Sequence, residues 1–129
     1  MRKLALGTLL AALPLTVMAA APATAGGPVE TTIVQHVSCG GHPDPNLCVY
    51  SGFVDSTNAK CLPGRTVKMF RFINGEIKLV DTGKTSRRGG FGGVGPPSDV
   101  SAAKAKVLKR VVGSGANRVV CRGASYTGA

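Results

Sequence analysis

Short runs in which apolar and polar residues alternate make up most of the chain after residue 28. Each run is bounded by glycine, proline, asparagine or aspartate, and this period-two pattern with frequent turns is typical of β-strands. The predicted strands are residues 29–37, 49–54, 65–72, 77–81 and 118–125. The chain is therefore predicted to form an all-β domain.

A tight hairpin is predicted between the third and fourth of these strands. Asn74 and Gly75 lie between them, and both tolerate the positive φ that a two-residue type I′ turn requires. The alternation of apolar and charged residues predicts that the hairpin has one dry side. Four side chains are expected there: Val67, Met69, Ile77 and Leu79.

Two segments rich in glycine and proline are predicted to be loops, residues 38–46 and residues 83–98. The second contains six glycines and two prolines, with a brief strand expected around Phe91. Its residues 90–95 have the G-x-G-x-x-G spacing of a dinucleotide-binding turn. Prolines follow them where that motif requires a helix, so a flexible loop is the better interpretation.

Residues 98–112 are compatible with two different structures. Ser98 is a good helix cap, Gly113 a good helix end, and valine and alanine recur between them at helical spacing. A period of two also fits, because Lys104 and Lys106 alternate with small apolar residues, and such a strand would pair with residues 118–125. The residues alone leave both structures open.

The N-terminus has the pattern of a secretory signal peptide over residues 1–25. Arg2 and Lys3 precede an apolar stretch, and an A-T-A cleavage site ends at Ala25. We expect this signal helix to be cleaved and the mature chain to be secreted, with no membrane as a partner. Loss of Arg2 and Lys3 lowers the formal net charge from +10 to +8.

The four cysteines of this small exported domain are expected to form two disulfides. Three pairings are open. We favour Cys39 with Cys48 and Cys61 with Cys121, since the glycine- and proline-rich segment between the first two can reverse the chain.

The alternative use of the first two cysteines is a zinc site. His36, Cys39, His42 and Cys48 offer the ligand types that zinc prefers within thirteen residues. Their spacing matches no standard zinc finger, and export favours oxidation of the thiols before metal is loaded. Neither a bound metal nor another cofactor is therefore expected.

The basic residues provide the chain's one hypothesis about a partner. Lys104, Lys106, Lys109 and Arg110 lie within seven positions and are the candidate contacts to a polyanion of the envelope or the extracellular space. The simpler interpretation of these residues is a charged face that only keeps the protein soluble. Nucleic acid is not expected, because aromatic residues for stacking are scarce.

No sequence motif of a hydrolase or a metalloprotease occurs, and only six acidic residues are available for catalysis. We therefore expect a non-enzymatic secreted module with a structural or interaction role. Polyanion binding and zinc binding are the alternatives.

Three segments carry a family resemblance: residues 50–54 (YSGFV), 61–71 (CLPGRTVKMFR) and 120–125 (VCRGAS). They are similar to segments of small secreted actinobacterial proteins that have a transthyretin-like β-sandwich, also described as prealbumin-like or carboxypeptidase-regulatory-like. The resemblance implies a Cys61–Cys121 bridge and a strand over residues 103–110. No ligand-binding residue of transthyretin can be matched, so hormone binding is not implied.

The predicted domain organisation has three parts. The signal helix of residues 1–25 is followed by an N-terminal extension with a cysteine loop, residues 26–47. Residues 48–129 are expected to form a small disulfide-stapled β-sandwich, Ig-like or prealbumin-like in architecture.

Overall fold

The structure, a computed structural model, describes residues 27–128, and the predicted signal helix lies outside them. Three single-turn 3₁₀ helices are present, at Ala59–Cys61, Val100–Ala102 and Gly115–Asn117, and the described part of the chain contains no longer helix. The all-β prediction is therefore confirmed. The ten strands are β1 (Pro28–Val29), β2 (Thr31–Ser38), β3 (Cys48–Ser56), β4 (Thr66–Ile73), β5 (Glu76–Lys84), β6 (Gly90–Gly95), β7 (Lys104–Val107), β8 (Arg110–Val112), β9 (Val119–Cys121) and β10 (Ala124–Thr127).

Two antiparallel sheets form the body of the fold. The smaller has the strand order β2–β3–β6 and the larger has the order β10–β7–β4–β5. At one side β6 runs next to β5, and at the other β2 runs next to β10. The strands of the two sheets therefore surround a shared interior, which makes the fold a β-sandwich.

Apolar side chains from both sheets fill this interior. Along β2 every second residue from Thr31 to Val37 is buried, as expected of a strand with one dry face. Tyr50 of β3 and Met69 of β4 are fully buried large side chains of the core. Burial of each such apolar side chain stabilises the fold by roughly 1.5–3 kcal/mol. The predicted burial of Val67 and Met69 is confirmed.

Strand β2 belongs fully to the sandwich. It pairs with β3 along its whole length, from Thr31 opposite Ser56 to Ser38 opposite Val49. The predicted N-terminal extension of residues 26–47 includes residues 31–38, which form an integral strand of the smaller sheet. The inward side chains of Ile33 and Val37 are part of the main core.

A third, small sheet has the strand order β1–β9–β8. Its inner side chains form a separate apolar cluster in which Cys61, Val119 and Cys121 are buried, with Val29 and Val112 packed against them. This sheet therefore attaches the beginning of the described chain and the segment around β9 to the 3₁₀ turn that contains Cys61.

Both disulfides of the favoured pairing are present, Cys39–Cys48 and Cys61–Cys121, so that prediction is confirmed. The first closes the loop between β2 and β3. The second joins β9 to the turn before β4 across a sequence separation of 60 residues. Two disulfides are typical of a protein that folds in an oxidising compartment.

The hairpin between β4 and β5 is confirmed, with positive φ at both Asn74 (52°) and Gly75 (79°). The predicted dry side is wrong for β5, where Ile77 and Leu79 are each 55 % exposed. The cause is a shift in pairing register between Met69 and Phe70 of β4, which pair with Asp81 and Leu79 of β5. The skipped residue, Val80, packs on the core in their place. Ile77 and Leu79 consequently lie on the outer surface.

The brief strand expected around Phe91 is present and is longer than predicted, because residues 90–95 form β6 and pair with β3 along six residues. The loop predicted over residues 83–98 is wrong for these six residues. Propensity disfavours glycine in strands. Here the absence of side chains lets β6 lie close to β5, since a Cβ atom on Gly95 would overlap the side chain of Val80.

Residues 104–107 form a strand, so the helix considered for residues 98–112 is wrong and the strand interpretation is confirmed. The strand predicted over residues 118–125 is divided into β9 and β10. β9 pairs with β8 and β10 pairs with β7. The predicted pairing of residues 98–112 with residues 118–125 is therefore present but divided between two sheets.

Candidate functional site: a lysine-bearing sheet face

Strand β7 presents two lysines to solvent. Ala105 and Val107 are fully buried in the core. Because successive side chains of a strand point to opposite faces, Lys104 and Lys106 lie on the outer face of the larger sheet.

Neighbouring strands add two further lysines to the same face. Lys68 of β4 is directly opposite Lys106, a position at which side chains begin roughly 5 Å apart. Lys84 ends β5 opposite Thr66, and its Nζ donates a hydrogen bond of 2.7 Å to the Thr66 hydroxyl. We call the surface formed by Lys68, Lys84, Lys104 and Lys106 the lysine face.

No carboxylate neutralises the lysine face within residues 27–128. The two salt bridges of this part of the chain join Arg122 to Glu30 and Lys78 to Glu76, and both lie elsewhere. The residues that pair with its lysines across the strands include uncharged hydroxyl residues: Thr66, Thr82, Ser125 and Thr127. The face therefore has a positive potential with hydrogen-bonding groups between the charges.

Lys109 and Arg110 lie just beyond β7, at one end of the lysine face. With Lys84 they line an open pocket of about 480 Å³. The Arg110 guanidinium donates hydrogen bonds to the main-chain oxygens of Pro63 and Gly64, which fix its position. None of the residues that line this pocket is acidic.

The four basic residues predicted as a site are thus divided between two connected positions. Lys104 and Lys106 lie on the lysine face, while Lys109 and Arg110 border the pocket at its end. Lys68 and Lys84 were not predicted to accompany them. Lys84 lies in the segment predicted to be a loop, and only the pairing register between strands would have shown the proximity of Lys68.

One further cation, Arg65, is fully buried and belongs to the fold rather than to this surface. Its guanidinium donates hydrogen bonds of 2.9 Å to the main-chain oxygens of Cys61 and Leu108 and of 2.6 Å to that of Arg122. Burial, together with the nearby charge of Arg110, lowers the pKa of Arg65. Arg65 therefore holds three chain segments together without a carboxylate partner among the described residues.

The alternative zinc site is wrong. Cys39 and Cys48 are bonded to each other, so neither offers a thiolate to a metal. His42 Nδ1 already accepts a hydrogen bond of 3.0 Å from the main-chain N–H of Asp44, and His36 lies on the exposed side of β2. In the described range no three histidine, cysteine, aspartate or glutamate side chains are grouped as a metal site would require.

No helix among the described residues has the length and apolar character needed to cross a membrane.

Comparison with known proteins gives no match: no protein-family model, curated protein or solved structure is significantly similar to the chain.

Proposed function

We propose that this protein is a secreted, non-enzymatic β-sandwich module with an interaction role outside the cell, and that it binds polyanions through the lysine face. Signal-peptide cleavage and export are part of the proposal and account for the two disulfides. The transthyretin-like family assignment remains a proposal based on the three similar segments.

One observation carries the proposed binding: Lys68 and Lys106 lie directly opposite each other without a carboxylate partner in residues 27–128. A generic solubilising surface would intersperse both signs of charge. A flat, single-sign face with hydroxyl groups between its lysines instead suits a linear anionic polymer, whose charges can contact several lysines at once. Release of the polymer's counterions then supplies much of the binding free energy.

The decisive measurement is binding of long-chain polyphosphate as a function of salt concentration. The variant Lys68→Gln/Lys106→Gln removes two charges from the lysine face. The control variant Lys60→Gln/Arg118→Gln removes two charges from exposed positions outside the sheet. We expect the first variant to bind at least about tenfold more weakly and to reduce the slope of log K against log salt by roughly one to two.

The control variant should retain most of the affinity, because its cations lie outside the proposed contact surface. Equal losses in the two variants would mean that binding follows net charge alone and that the lysine face is not a site. Unchanged affinity in the first variant would also contradict the proposal.

A further inference from the structure

The outer surface of the smaller sheet contains an open groove of about 630 Å³ beside the lysine face. Two rows of paired residues cross it. One row is Val34, Phe53 and Gly90, and the other is His36, Ser51 and Gly92. The Lys84–Ser86 segment lies along its far side.

Glycines create the space of this groove. Gly90 is paired with Phe53, and a Cβ atom at Gly90 would lie 3.5 Å from the Phe53 ring. A Cβ atom at Gly92 would meet only one atom within 4 Å, a main-chain oxygen at 3.7 Å. The surface of β6 beside Phe53 therefore carries no side chains that would fill the groove.

One wall of the groove is apolar and uncovered. Phe53 is 63 % exposed and Val34 is 53 % exposed, and the two are directly opposite each other on β3 and β2. Neighbouring exposed apolar side chains that form a continuous patch mark a candidate ligand-binding surface. The ring offers a flat apolar face to a ligand.

The other groups at the groove are polar or positively charged. Ser51, His36 and Ser86 can exchange hydrogen bonds with hydroxyl groups of a ligand. Lys84 borders both this groove and the pocket of Lys109 and Arg110, so the groove is continuous with the positive surface.

We infer that the partner is an acidic polysaccharide. A pyranose ring has an apolar C–H face that can stack on Phe53, and its hydroxyl groups match the polar side of the groove. Its carboxylate or sulfate groups would extend to Lys84 and the lysine face, which is complementary in charge. Polyphosphate lacks the apolar face, so it would use the lysines alone. This inference rests on the proposed function, because the same lysines hold the acidic groups.

The test compares two probes, polygalacturonate and long-chain polyphosphate. Phe53→Ala removes the stacking ring, and Gly92→Leu fills the groove with a side chain. Ile77→Ala is the matched control, since Ile77 is an exposed apolar residue of β5 outside the groove. Urea midpoints verify that each variant is folded.

Both groove variants should bind polygalacturonate about tenfold more weakly and polyphosphate within about twofold of the unmodified protein. Ile77→Ala should change neither. Unaltered polygalacturonate binding in both groove variants, or equal weakening for both probes, would overturn the inference. A loss of self-association in Phe53→Ala, with polygalacturonate affinity preserved, would instead identify the groove as a contact between copies of this chain.

The variant Lys68→Gln/Lys106→Gln separates this inference from the proposed function. This variant should bind both polygalacturonate and polyphosphate more weakly than the unmodified protein. If its affinity for both probes is unchanged while Phe53→Ala lowers the affinity for polygalacturonate, the groove binds sugar but the lysine face is not a polyanion site.

Discussion

Lys68 and Lys106 face each other across the β4–β7 ladder, and no carboxylate of the described residues pairs with either. Like charges in directly opposite positions of an antiparallel sheet repel and destabilise it. The pair therefore lowers the stability of the free protein, and an anion bound between the two ammonium groups would remove that repulsion. Stability and binding should consequently change in opposite directions when one charge is removed.

The first prediction follows from this repulsion. Lys106→Gln keeps a long polar side chain but removes its charge, so the free energy of unfolding should rise by about 0.2–1 kcal/mol at low salt. The increase should shrink as salt screens the pair. Urea unfolding at low and high salt measures both effects.

The control for this measurement is Lys60→Gln, at an exposed lysine in the 3₁₀ turn before β4, which should change stability little. A variant Lys106→Gln that is less stable than the unmodified protein would show that its aliphatic stem contributes more through packing than its charge costs.

Periodicity predicted the existence of most strands and the Asn74–Gly75 turn, because local pattern and turn chemistry agree there. For β6 it indicated only a brief strand around Phe91 within a loop, since a strand with four glycines in six residues has no alternating apolar side chains to recognise. Gly95 is required by its contact with Val80 on β5, which is distant in sequence. Only the folded arrangement reveals that requirement.

The candidate site was predictable in part for the same reason. Lys104 and Lys106 are close in sequence and alternate with small apolar residues, so their common face follows from the strand interpretation. Lys68 joins them through pairing register, and Lys84 through the extension of β5 into a segment predicted to be a loop. The exposure of Phe53 beside Gly90 likewise depends on the pairing of β3 with β6.

The second prediction concerns the two disulfides. On the chain-entropy model, the bridge that closes a loop of about ten residues contributes roughly 2.7 kcal/mol, and one that closes about sixty residues contributes roughly 4.3 kcal/mol. Cys61→Ala/Cys121→Ala should therefore destabilise more than Cys39→Ala/Cys48→Ala. Cys61 and Cys121 are both fully buried, whereas in the other bridge Cys48 is buried and Cys39 is exposed, so the packing loss is also larger for the Cys61–Cys121 pair. Urea midpoints of the two double variants decide the order, and equal midpoints would contradict it.

The third prediction concerns Arg65. Replacement by methionine leaves the main-chain oxygens of Cys61, Leu108 and Arg122 without their donor. An unpaired buried oxygen costs about 1–3 kcal/mol, and the cost is smaller for the oxygens of Leu108 and Arg122, whose hydrogen bonds are only partly buried. Arg65→Met should lower the free energy of unfolding by about 3 kcal/mol. Arg65→Lys should recover only part of the loss, because one ammonium group cannot reach acceptors that two guanidinium nitrogens contact.

The matched control is Arg118→Met at an exposed arginine, where little change is expected. Removal of Arg65 also removes the cost of a buried cation. Stability close to that of the unmodified protein in Arg65→Met would mean that this cost equals the gain from the hydrogen bonds.

The last prediction uses the phenol of Tyr50. Tyr50 is fully buried, and its hydroxyl donates a hydrogen bond to the main-chain oxygen of Pro96. Burial raises the pKa of Tyr50 above the ordinary 10.0, and the nearby charge of Arg71 partly opposes the rise. In the native state the phenol therefore stays protonated at a pH where the unfolded chain has begun to lose that proton. The stabilisation that the protonated Tyr50 contributes is complete below pH 10.0. It is lost as the pH rises from 10.0 through the raised pKa of Tyr50 in the native state.

Comparison with Tyr50→Phe isolates this effect, because all other titrating groups are shared. Below pH 10.0 the variant should be less stable by about 1 kcal/mol, the value of one hydrogen bond. Above that pH only the unmodified protein loses the contribution of Tyr50, so the difference in free energy of unfolding between the two proteins should narrow. Urea unfolding at a series of pH values on both sides of 10.0 measures the difference directly. Parallel curves would show that the phenol titrates alike in the native and unfolded states, and a widening difference would mean that its native pKa is lowered.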